Sequence, residues 1–224
     1  MEIIDRAIRE GRTLLSEYES KEVLAAYQIP VTREMLIERR EDLPQAAHEI
    51  GYPLVLKACS PEISHKTEKG LIRTDIRNTD EALDAFDDIT AKMQGTKRTV
   101  LVQEMAKGKR ELLIGLHRDA QFGPCVMFGL GGIFTEILQD VSSRVAPLKK
   151  RDALEMMREI KGHKILDAIR GMEAADLDQL GDILIRVGRI GLENEYVKEI
   201  DINPVILCGS KAVAVDALIL LEYK

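Results

Sequence analysis

The tightest constraint on this chain lies near its C-terminus, where Gly209-Ser210 separates two β-rich runs, Tyr196 to Ile202 and Lys211 to Leu218. A two-residue turn containing glycine predicts a hairpin, and a hairpin fixes which residues oppose one another. Asn203 then faces Asp216, and Asp201 faces Leu218 on the same side of the ribbon, because side chains alternate with period two. Directly opposed Cβ atoms lie roughly 4.5–5.5 Å apart, near enough for two oxygen-bearing side chains to share one hard cation such as magnesium. A polar face in plain solvent satisfies the same spacing, and a bulge at Pro204 would shift the pairing by one residue. Spacing alone leaves these readings open.

Upstream, helices alternate with strands. Ser20 is an N-cap candidate for a helix carrying Val23, Leu24 and Tyr27 and ended by Pro30. An amphipathic stretch from Leu43 to Ile50 stops at Gly51, and Pro53 to Cys59 reads as a buried strand that enters the polar loop Ser60 to Gly70. Leu71 to Asp75 is a short strand. Asn78 with Glu81 makes a capping box for a helix whose apolar face is Leu83, Phe86, Ile89 and Met93. Thr99 to Gln103, Glu111 to His117, Cys125 to Phe128 and Ser142 to Ala146 read as further strands, with helices at Lys150 to Lys161 and Glu173 to Gly191. The pattern predicts an α/β protein with an N-terminal lobe over 1–102 and a C-terminal lobe over 103–224.

Composition removes whole classes of function. Of 224 residues 45% are hydrophobic and 31% charged with no low-complexity tract, which excludes disordered and collagenous chains. The net charge of −6 argues against a nucleic-acid binder working by wholesale phosphate neutralisation. Cys59, Cys125 and Cys208 are odd in number and lack CxxC spacing, which fits a reducing cytoplasm. The apolar tail from Ala212 to Leu221 is too short to span a bilayer. A soluble cytoplasmic protein with neither membrane nor nucleic acid as partner is expected.

Several residues stand out against their surroundings. Lys57 falls inside the apolar run Leu-Val-Leu-Lys-Ala, where a buried ammonium needs an anion: nucleotide phosphate or a structural carboxylate. Glu111 sits similarly beside Leu112, Leu113 and Ile114. Gly129-Leu-Gly-Gly132 can expose backbone N–H groups to an anion, although Phe134 stands where a dinucleotide fingerprint needs its third glycine, and no Walker motif is present. His65 is flanked by Lys66 and Lys69. Its imidazole titrates near 6.5 when unperturbed, and neighbouring cations favour the neutral form that can accept a phosphoryl group.

Taken in order, these elements resemble the ATP-grasp β-subunit of ADP-forming acetate–CoA ligases, found also at the C-terminus of single-chain NDP-forming acyl-CoA synthetases. The likeness covers nearly the whole chain. It is carried by Gly51-Tyr-Pro-Leu-Val-Leu-Lys-Ala58, Ser64-His-Lys-Thr-Glu-Lys-Gly70, Val102-Gln-Glu-Met105 leading to Glu111, Phe122-Gly-Pro124, Phe128-Gly-Leu-Gly-Gly-Ile133, Ser143-Arg-Val-Ala-Pro147 and Glu199-Ile-Asp-Ile-Asn-Pro204 before Asp216. One departure is that Leu71 replaces the second glycine that usually follows Gly70.

The resemblance implies an ATP-grasp fold, two packed subdomains with a nucleotide cleft between them. It implies Asn203 and Asp216 as magnesium ligands, and Lys57, Lys66, Gly70 and Glu111 as nucleotide contacts. Gln103, Glu104 and Met105 become the adenine hinge, and Gly129, Gly131 and Gly132 the phosphate loop. His65 becomes a phosphohistidine, with Arg144 stabilising the transferring phosphate. The implied reaction passes phosphate from an acyl phosphate to a histidine of a CoA-binding α-subunit, then through His65 to ADP with Mg2+, in an α2β2 heterotetramer. A non-catalytic nucleotide-sensing module and a succinate–CoA ligase β-subunit are the rival readings.

Overall fold

The computed structural model describes residues 1–60, 70–93, 98–132 and 140–223. Its helices are α1 (Glu2–Arg9), α2 (Glu17–Ala26), α3 (Leu43–Ile50), α4 (Thr79–Lys92), α5 (Lys150–Glu159) and α6 (Leu177–Glu193). The strands are β1 (Glu34–Ile37), β2 (Leu54–Ala58), β3 (Ile72–Ile76), β4 (Val100–Glu104), β5 (Glu111–Asp119), β6 (Gly123–Leu130), β7 (Val141–Val145), β8 (Val197–Cys208), β9 (Lys211–Ala214) and β10 (Leu218–Leu221). Contacts group them into two units. Ser16–Tyr18 and Thr32–Met105 form the smaller; Met1–Leu15, Glu19–Val31 and Ala106–Lys224 form the larger. The second break falls close to residue 102, but a cut there would assign the N-terminal helices to the wrong unit: Ile4, Ala7, Val23 and Leu24 are buried in the same apolar cluster as Leu184 and Ile219.

The smaller unit is an antiparallel sheet in the order β1-β4-β2-β3. One face, carrying Leu54, Leu56, Ala58, Val100 and Val102, packs with Ala46, Ile50, Phe86 and Ile89 of α3 and α4. The cap of α4 forms as its sequence predicts, with Asn78 Oδ1 accepting from Glu81 N at 2.9 Å. Glu81 reaches one residue further back than in the usual box, to Arg77 N at 2.8 Å. β1 has no counterpart in the sequence reading. Ser20 is not an N-cap, because α2 begins at Glu17 and Ser20 is buried inside it. Ser16, of the same capping type, stands just before that start, so residue type alone does not choose between them.

The larger unit holds a six-stranded antiparallel sheet, β10-β8-β5-β6-β7 with β9 also paired to β8. Leu112, Ile114, Val126, Phe128, Ile200 and Ile202 point to one face, into a core shared with Met156 of α5 and Leu180, Leu184 and Val187 of α6. The Gly209 turn forms, with φ +64°. Cys208 pairs with Lys211 and Val205 with Ala214, and beyond the turn-proximal segment Asp201 pairs with Leu218. The register is the same on both flanks, so Asn203 and Asp216 are opposed. Pro204 does mark a bulge, but on the other side of β8. Leu112 pairs with Val205 and Ile114 with Ile202, which leaves Asn203 and Pro204 together opposite Leu113. Proline lacks the N–H that a regular ladder requires there.

Candidate functional site

The face of the six-stranded sheet away from the helices is where the larger unit gathers its oxygen donors. Glu111 and Leu113 alternate with the core residues of β5, and Asp201 and Asn203 alternate with Ile200 and Ile202 on β8. Gly132, just past β6, joins two of them. Its N–H donates to Asn203 Oδ1 at 3.3 Å, and a Cβ added at Gly132 would collide with the Glu111 carboxylate. Gly132 also has φ +62°, so this position needs glycine for both conformation and space. Glu111, Gly132 and Asn203 therefore converge.

Asp201 lies two residues from Asn203 and directly opposite Leu218. Burial pushes its carboxyl up to about 6, with Glu199 and Asp216 adding like-charge repulsion. That influence places Asp216 in the same electrostatic neighbourhood. Carboxylate and amide oxygens of this kind suit a hard cation. Among the described residues no three His, Cys, Asp or Glu side chains form a closed metal cage. An open set of one or two protein oxygens is what Mg2+ uses when phosphate and water complete its shell.

Comparison with known proteins decides the family. An ATP-grasp domain model matches residues 6–221. The chain is 45% identical to the β-subunit of ADP-forming acetate–CoA ligase I from Pyrococcus furiosus, over 98% of this chain and 97% of that one. It is 39% identical to the corresponding subunit of ligase II from the same organism, over 99% and 98%. The chain belongs to the ATP-grasp β-subunits of ADP-forming acetate–CoA ligases. A solved acetyl-coenzyme A synthetase 1 from Ca. Korarchaeum cryptofilum, in complex with coenzyme A and Ca-AMPCP, superposes with a TM-score of 0.95 at 43% identity, covering 99% of each chain. Another structure of that enzyme contains Mg-AMPPCP with its phosphohistidine segment pointing towards the nucleotide binding site, at 44% identity and a TM-score of 0.88 over 99% of each chain.

Within this ATP-grasp chain the remaining sequence candidates separate. Lys57 lies on fully buried β2 and pairs with Glu17, Nζ to Oε1 2.7 Å. The pair is the structural carboxylate that the sequence reading left as one of two options, and it spans 40 positions, so no local motif signals it. Gln103 is completely buried on β4. Glu104 accepts from Arg33 N and Nε, both at 2.9 Å, and Met105 N donates to Pro53 O at 3.2 Å. Glu104 and Met105 are thus both anchored by hydrogen bonds. Gly70 adopts φ +64°. His65 and Lys66 lie outside the described residues.

The glycine run has a second explanation in packing. A Cβ at Gly129 would lie 2.7 Å from Asp140 O, and one at Gly131 would lie 2.7 Å from the Leu112 backbone. Those two glycines permit strands to approach, and Gly129 is inside β6 rather than in a loop. Arg144 is not brought to the oxygen-donor face. It pairs with Val126, a core-side residue, and its guanidinium is bound to Glu159 at the end of α5 and to Ser143 O. The register of β7 against β6 decides this, and nothing local in Ser143-Arg-Val encodes that register.

Proposed function

We infer that the chain is the nucleotide-binding subunit of an ADP-forming acyl-CoA ligase, which passes a phosphoryl group between a phosphohistidine and ADP. The observation that carries the reading is the convergence of Glu111, Gly132 and Asn203 beside Asp216, in a chain nearly coextensive with two acetate–CoA ligase β-subunits. Asn203 and Asp216 hold Mg2+, with Glu111 facing the nucleotide and the Gly132 N–H steadying Asn203 Oδ1. The cation, when bound, neutralises phosphate charge during transfer. Lys57 contacts phosphate, Gln103 to Met105 flank the base, and Gly70 and Lys66 border the phosphate side. Arg144, held by Glu159 on the helix-covered face, is left out of this assignment.

His65 carries the phosphoryl group in transit. Its imidazole attacks the phosphorus of a partner's phosphohistidine, the N–P bond there breaks, and ADP then takes the phosphoryl group with release of neutral His65. The partner is a CoA-binding α-subunit, which supplies the first phosphohistidine from acyl phosphate, and the assembly is α2β2 in the cytoplasm. Support comes from relatives in which a stretch of this length is named a β-subunit and from others in which it makes up about a third of a longer ligase. The test uses the reconstituted complex supplied with acyl-CoA, phosphate and Mg·ADP. His65→Ala should bind Mg·ADP nearly normally and allow phosphorylation of the partner, yet form no ATP. Normal ATP formation by His65→Ala would remove the relay.

A further inference from the structure

Lys57 is set in unusual surroundings for a cation. On its face of the four-stranded sheet it is flanked by Leu101 of β4 and Ile72 of β3, and Val55 precedes it on β2. The polar side chains nearest in register on that face are Gln103, opposite Val55, and Glu34 beyond it on β1. Glu17, from outside the sheet, reaches Lys57 Nζ at 2.7 Å, and the two side chains are only 5% and 1% exposed. A four-carbon stem has many ways to turn away, and a bond to a fixed carboxylate removes most of them.

We propose that Glu17 is a positioning residue for nucleotide binding: it holds the Lys57 ammonium in one orientation, so that phosphate meets a cation already in place. An ammonium has three N–H donors, so one nitrogen can bond both a carboxylate and a phosphate. Binding then gains from a group whose orientation is set before the ligand arrives. This inference rests on the reading of Lys57 as a phosphate contact and adds the residue that makes the contact work.

The experiment compares Mg·ADP with adenosine, which has no phosphate, by calorimetric titration of the full chain. Glu17→Gln should weaken Mg·ADP at least tenfold and leave adenosine unchanged. Glu17→Asp, which keeps the charge but withdraws it by one methylene, should lie between wild type and Glu17→Gln; it decides the matter if the amide variant does not fold. A residue that only supported the fold would lower the melting temperature and leave the ratio of the two affinities where it was. Mg·ADP affinity in both variants equal to or tighter than wild type, with Lys57→Met clearly weakened, overturns the role of Glu17 alone. Wild-type affinity in Lys57→Met overturns the phosphate contact itself.

Discussion

The two sheets of this molecule solve opposite electrostatic problems. The six-stranded sheet collects Glu111, Asp201, Asn203 and Asp216 on one face, where burial, with like charge from Glu199 and Asp216 added, pushes the Asp201 carboxyl up to about 6. Among its described residues the four-stranded sheet buries one cation, Lys57, and sets it against Glu17. A face rich in carboxylate and amide oxygens suits a hard cation from outside. A buried neutral pair needs no such cation and is organised before any ligand comes. Metal should therefore matter to the first face far more than to the second, and loss of one charge should harm folding at the second far more than at the first.

Lys57→Met sharpens this contrast most. It keeps the apolar stem but removes the ammonium that faces the buried Glu17 carboxylate at 2.7 Å, and breaking one partner of such a pair costs about 3–5 kcal/mol of stability. Urea denaturation of the variant measures it; a loss below about 1 kcal/mol would show that the pair is solvated in solution. Asp216→Ala addresses the other sheet. Mg·ATP should bind roughly a hundredfold more weakly, about 2.7 kcal/mol, while ATP without metal should bind as in the wild type. Equal losses in both titrations would deny the anionic face its cation.

Asp201→Asn reverses the sign of the usual mutation. In metal-free buffer the unfolded chain ionises this carboxyl near 4, whereas the folded protein does so at about 6. Below pH 4 both states are protonated and the substitution should be neutral. Between pH 4 and 6 the unfolded chain ionises while the folded carboxyl stays protonated, which costs the wild type stability over that window, so at pH 7–8 the variant should be more stable by on the order of 2–3 kcal/mol. Denaturation midpoints at pH 4 and pH 8 give the comparison, and no gain at pH 8 would mean that the carboxyl is solvated.

Much of the first face was legible and little of the second. Gly209-Ser210 permits few turn geometries, and so Asn203 opposite Asp216 follows from counting along two strands. Pro204 announced a bulge but not which neighbour would feel it; that depends on β5, some ninety positions earlier. Lys57 was conspicuous because its neighbours are apolar, yet its partner comes from Glu17, at a separation no periodicity encodes. The placement of Arg144 was unreadable for a similar reason, since a one-residue difference in the pairing of β7 decides which face receives it. Local chemistry was readable wherever a turn or cap determined it, and unreadable wherever two distant segments had to meet.

The smallest expected effect guards the largest. Asn78 caps α4, which lies against the apolar face of the four-stranded sheet, opposite the face carrying Lys57. Asn78→Ala removes the acceptor for Glu81 N and should cost about 1 kcal/mol, the usual value for a lost N-cap. The Lys57–Glu17 pair should be untouched, and so should the affinity for Mg·ADP. If Asn78→Ala weakened nucleotide binding in proportion to its lost stability, the weaker binding of Lys57→Met would follow from a loosened sheet rather than a missing ammonium. If binding held while the denaturation midpoint fell, stability and affinity would be separable in this unit, and the loss in Lys57→Met would belong to the charge.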